Sequence, residues 1–202
     1  MKGILHTMDE RGEPKRRVIT DVNAMRALAH PERLAILLYL LSGVPRTATE
    51  CASEVGASPS ACSYHLRELE RFGFVERAEA EGDQRTRPWR AAAIGFSLGG
   101  EWTQDSPAAR AARHAIGRAE LLENQRLIDR FLEAVDDLDP AWQSASDFHN
   151  FELLVTPNEL QKLNEEVAAM LRRFRAPTRR RAPKDAAAVH VTYQAFPRVD
   201  RS

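Results

Sequence analysis

The sequence predicts an α+β fold that is mainly α, and three observations carry this. Residues 47–90, TATECASEVGASPSACSYHLRELERFGFVERAEAEGDQRTRPWR, hold two short helical segments around a tight turn, followed by an arginine-bearing hairpin. Residues 106–138 carry a helical stripe that continues with a small shift of register. Beyond residue 140, strand-like alternation flanks one further helical segment. Together these give a winged helix-turn-helix domain, a long helix and a small C-terminal β-α-β unit.

The elements follow in order. The first 17 residues, MKGILHTMDERGEPKRR, are broken by charges every few positions, so they read as a flexible tail and as neither signal peptide nor membrane span. Asp21 is placed to cap a short helix through Leu28. Pro31 starts another that buries Leu34, Ile36, Leu37, Leu40 and Leu41, and His30 before it reads as a structural turn or capping residue. Ser42, Gly43 and Pro45 end that helix. The first helix of the motif spans 48–55 and stops at Gly56, a residue able to take the left-handed conformation. Ser58 and Pro59 then occupy the cap and first turn of the second.

On that second helix, Cys62, Leu66 and Leu69 recur at spacings of four and three and define a core stripe. Ser60, Tyr64, Arg67 and Arg71 fall on the opposite side, which taken alone is equally the solvated face of a surface helix. Phe74 and Val75 open a strand, Gly82 and Asp83 make a turn, and Arg85, Arg87 and Arg90 return along a second strand around Trp89.

Three stretches resemble ArsR-type winged-helix transcriptional regulators, the arsenic-repressor-like family: MRALAHPERLAILLYLL (25–41), EVGASPSACSYHLRELERFGFVE (54–76) and RTRPWR (85–90). The resemblance covers residues 18–93. It implies a homodimer that docks one recognition helix per subunit into successive major grooves of a near-palindromic double-stranded DNA operator. The matching contact positions are Ser60, Ala61, Ser63, Tyr64, His65 and Arg67, with Arg85 and Arg87 on the wing. Metal-sensing members carry paired cysteines where this chain has Thr47 and Thr49. Cys51 and Cys62 both fall at core positions, and two cysteines without neighbouring histidines do not make a thiolate site, so no metal and no cofactor are expected.

In the second half, Ser106 and Pro107 open a long helix reaching Leu138. Ala108, Ala112, Ala115, Ala119 and Leu122 form a narrow stripe that Ile128, Leu132 and Val135 continue. Small residues admit a close helix neighbour, so Ala112, Ala115, Ala119 and Leu122 are expected at a dimer interface; packing onto the helix's own domain is the alternative. Next, Phe151, Leu153 and Val155 alternate as a strand. Thr156 and Glu159 form a capping box for a helix burying Leu160, Leu163, Val167, Met170, Leu171 and Phe174. A basic, proline-broken stretch at 175–185 reads as a loop, and Val189, Val191, Tyr193 and Ala195 alternate as a terminal strand. Residues 94–98 or a partner subunit complete the sheet. Trp102, Trp142, Phe148, Phe151 and Tyr193 either line a pocket for a small-molecule effector or fill a core.

The expected organisation is therefore a tail (1–17), a winged helix-turn-helix domain (18–98), a long dimerisation helix (99–139) and a C-terminal unit (140–202) for dimerisation or effector binding. Two cysteines in 202 residues fit a reducing compartment, and a cytoplasmic location is expected. A formal net charge of zero argues against a broad polyanion binder but leaves local DNA contacts open. No phosphate loop, helical His pair or nucleophile elbow suggests an enzyme. The competing class is a winged-helix protein-interaction module that does not bind DNA.

Overall fold

The computed structural model describes residues 17–78, 87–99, 106–174 and 183–199. The chain divides into two compact units, residues 1–123 with 175–182, and residues 124–174 with 183–202.

In the first unit, β1 (Arg17–Ile19) leads into α1 (Val22–Leu28), whose cap is the Asp21 carboxylate accepting from the Asn23 amide at 2.9 Å. Helix α2 (Pro31–Leu40) buries Leu34, Ala35, Ile36, Leu37 and Leu40, while Leu41 becomes its C-cap. Helix α3 (Ala48–Val55) is held by a capping box. The Thr47 hydroxyl accepts from the Glu50 amide, and the Glu50 carboxylate accepts from the Thr47 amide at 2.7 Å. Gly56, at φ 69°, ends α3 in the left-handed region, and α4 (Pro59–Arg71) follows with Ser58 as its cap. Gly73, also at φ 69°, turns the chain out of α4. The antiparallel wing of β2 (Val75–Arg77) and β3 (Trp89–Ala91) comes next.

The core of this unit gathers Met25, Leu37, Cys51, Leu66, Phe74 and Trp89 with their neighbours. Arg46 adds a third rung beside the wing, exchanging backbone hydrogen bonds with Trp89 at 2.7 and 2.8 Å. The root of the wing is thus fixed to the loop before α3.

Strand β4 (Phe96–Leu98) corrects one expectation. It pairs in parallel with β1, and does not complete a C-terminal sheet. The N-terminal segment is nearer in space and supplies the open edge, and the Arg17 guanidinium donates to the Gly73 carbonyl.

Helix α5 (Pro107–Ala134) corrects a second. Ala109, Ala112, Arg113, Ile116, Ala119 and Glu123 form its buried face, with Ala112 and Ile116 part of the first unit's core. Of the expected interface residues, Ala112 and Ala119 are therefore covered within their own subunit. Ala115 is half-buried, and Leu122 is exposed. The sequence stripe of Ala108, Ala112, Ala115, Ala119 and Leu122 leaves out Ile116. Including Ile116 rotates the contact face, because an isoleucine contributes more apolar area than an alanine.

The second unit holds a 3₁₀ turn (Val135–Asp137), α6 (Pro140–Ala145) and α7 (Pro157–Arg172). The expected capping box is present in α7, where the Thr156 amide donates to Glu159 at 2.7 Å. The flanking strands are not. Residues 147–156 and 186–199 join no ladder, and the β-α-β unit is reduced to a helix between extended segments. Alternation gives a strand two faces but supplies no pairing edge. The expected burial on α7 fails similarly: Leu160, Leu163, Val167 and Leu171 are only half-buried, and Met170 and Phe174 are exposed.

Candidate nucleic-acid interface

Helices α3 and α4 are joined by only Gly56, Ala57 and Ser58, so they cross steeply and α4 is presented on the outside of the unit. Cys62, Leu66 and Leu69 face inward and are fully buried. That inner stripe fixes the rotation of α4. It leaves Ser60, Tyr64 and Arg67 exposed, with Ala61 and Ser63 at the margins. Tyr64 is 52% exposed.

His65 does not belong to this outer face. It is 7% exposed, its Nε2 lies 2.6 Å from Glu32 Oε2 on α2, and its ring is 4.7 Å from that of His30. Three residues from Cys62 and four from Leu69, it shares their side of the helix and braces α4 from within. His30 is held below the usual imidazole value, first by burial and then by the Arg33 charge.

The wing sets its cations in two ways. Arg90 is neutralised by Glu76 at 2.7 Å. Arg77, which sequence reasoning passed over, lies with its guanidinium 3.6 Å from the centre of the Trp89 ring and donates to the Arg87 carbonyl at 2.7 Å. This cation–π contact across the hairpin stiffens the stem; the signal available beforehand was only an arginine opposite a tryptophan. Arg87 is exposed, and neither it nor Arg67 has an acidic partner among the described residues, whereas Arg46 and Arg71 pair with Glu50 and Glu68. Arg85 and the Gly82-Asp83 turn lie outside the described residues.

Cys51 and Cys62 are both completely buried and link α3 to α4. The Cys51 thiol is pushed up, by its hydrogen bond with Cys62 and then by burial, and so stays protonated. Thr47, at one of the positions where thiols were sought, instead supplies the cap of α3.

The aromatics expected to line an effector pocket do not gather. Trp102 lies outside the described residues, and Trp142, Phe148, Phe151 and Tyr193 are all exposed. Phe148 meets Phe131, Phe151 stacks on His149, and the Tyr193 hydroxyl donates to Asn164. Without a sheet behind them, these rings have no shared floor.

Residues 28–78 match a family model described as a helix-turn-helix domain. This segment, from the end of α1 to the first wing strand, is about a quarter of the chain. It supports a DNA-binding transcription regulator with a winged helix and does not single out the ArsR type. No curated protein matches the chain significantly. Among solved structures, the chain is similar to the zinc-responsive MarR family member ZitR of Lactococcus lactis, at 15% identity over 68% of this chain and 74% of that one, with a TM-score of 0.29. It is also similar to RV1404 of Mycobacterium tuberculosis, at 14% identity over 73% and 81%, with a TM-score of 0.30. Likenesses this weak carry no functional argument. No helix among the described residues is long and apolar enough to cross a membrane.

Proposed function

We propose that the chain is a sequence-specific transcriptional regulator of the ArsR type, acting in the cytoplasm as a homodimer on a near-palindromic double-stranded DNA operator. The observation that carries the reading is the outer face of α4. Tyr64 and Arg67 are exposed on a helix whose rotation is locked by a buried stripe, beside a wing that offers Arg87, which has no acidic partner among the described residues. A rigid helix with polar and guanidinium groups suits base edges in a major groove, and the wing cation suits phosphate. An interaction module would present apolar anchors on that face.

The dimer is supported by the second unit. None of the described residues beyond Glu123 is buried, and Phe148, Phe151, Leu154, Phe174, Val189 and Phe196 are exposed. A helix of α7's length is marginal in water unless its apolar face is covered. A second copy of the same unit provides a self-complementary cover. Two recognition helices would then meet half-sites about 34–36 Å apart.

Selection of duplexes from a random pool by the purified protein tests the proposal. Enrichment of a near-palindrome with that spacing is expected. A pool that stays random after repeated rounds would reject the DNA-binding reading.

A further inference from the structure

We propose that His30, Glu32 and His65 form a binding site for a divalent transition-metal ion, with zinc the best chemical match. One donor atom from each residue lies within 4.8 Å of the other two. Donors around a tetrahedral zinc ion, with bonds of about 2.0–2.1 Å, stand about 3.3 Å apart, so small side-chain rotations bring this set to bonding distance. Two borderline imidazoles with one hard carboxylate suit zinc, copper or nickel better than magnesium or calcium, which take all-oxygen sets.

The surroundings favour an ion in two ways. Each imidazole keeps a buried Nδ1 with no hydrogen-bond partner among the described residues, and the one contact already made within the set, His65 Nε2 to Glu32, is between two of the proposed ligands. The Glu32 carboxylate brings the negative charge that two neutral imidazoles lack, and its side chain is 44% exposed, which gives the ion a path from solvent. Three protein ligands leave a fourth position for water on the solvent side.

The ligands come from two elements. His30 is the cap residue of α2, Glu32 lies in that helix's first turn, and His65 sits in the middle of α4. Sequence spacing hides the set, since His65 follows Glu32 by 33 positions. A bound ion would fasten α2 to the inner face of α4 and stabilise the folded unit by mass action. The site stands whether or not the chain binds DNA.

The test is titration of the full chain, stripped with a chelator, against zinc chloride in competition with a chromophoric chelator, alongside thermal melting and cobalt(II) absorption. One ion per chain is expected, with a melting temperature that rises with zinc and not with magnesium. Cobalt should give ligand-field bands without a thiolate charge-transfer band. His30→Gln and Glu32→Gln each leave His65 in place, and both should lose stoichiometric binding and the zinc-dependent rise in melting temperature, whatever their zinc-free melting temperature. Wild-type protein that neither binds zinc stoichiometrically nor melts higher with it overturns the site, a result that does not depend on any variant folding. Binding that persists in both variants overturns it as well, because the ion would then sit elsewhere among the chain's six histidines.

Discussion

Truncating the outer face of α4 should separate DNA recognition from folding. Complete removal of a buried aromatic side chain costs about 3–5 kcal/mol of stability. Tyr64, however, already has 52% of its surface in water, and its aromatic contact among the described residues is edge-on to His65 at 5.5 Å. Tyr64→Ala should therefore cost less than about 1 kcal/mol of stability. Arg67 is exposed and has no acidic partner among the described residues, so Arg67→Ala should cost still less. On a selected operator, each variant should lose about 1–3 kcal/mol of binding, or roughly 5- to 150-fold in Kd. Arg87→Ala should weaken binding to operator and scrambled duplex alike, and lower the slope of log K against log salt by about 0.9. Fluorescence anisotropy over a salt series reads all three effects, and denaturant melts confirm the fold. Wild-type affinity in all three variants at matched salt would refute the placement of DNA on this face.

Replacing Phe151 and Leu154 by glutamate should give a monomer in sedimentation equilibrium with the helix-turn-helix unit still folded; a persistent dimer would mean that these exposed residues are not at the interface. Ala112→Glu should instead place a carboxylate in the core of its own subunit and cost several kcal/mol of stability, seen as a large fall in Tm. Thr47→Ala removes the α3 capping box and should cost about 1 kcal/mol near neutral pH. Glu50 is held below its ordinary value of 4.5 by its hydrogen bonds with the Thr47 amide and hydroxyl, so its contribution is present above that value and lost as pH falls through the lowered one. The difference between wild type and Thr47→Ala should accordingly shrink in acid, and a difference that stays constant from pH 7 to pH 3 would exclude the carboxylate's part. Cys51→Ser and Cys62→Ser should each lower stability, because a hydroxyl replaces a thiol at a fully buried position; unchanged melting of both would contradict that burial.

What the sequence determined by itself is local. Thr47, Gly56, Ser58, Pro59, Asp21 and Thr156 act through bonds or backbone angles within about four residues, and those partners are fixed once the order of residues is written. The inner stripe of α4 was equally legible, because three apolar residues on one side of a helix leave it a single way to face a core. His65 was misassigned where position in a resemblance was followed instead of that rotation. Its burial depends on Glu32 from another helix, as does the grouping with His30. Tertiary structure alone decided which face of α5 meets the first unit, since Ile116 outweighs a stripe of alanines only when an apolar surface is there to receive it. It also decided that β4 joins β1 and that residues 151–155 and 189–195 stay unpaired. Alternation can mark a strand, but the hydrogen bonds that make one belong to whichever edge lies alongside, and an edge is a property of the assembled chain.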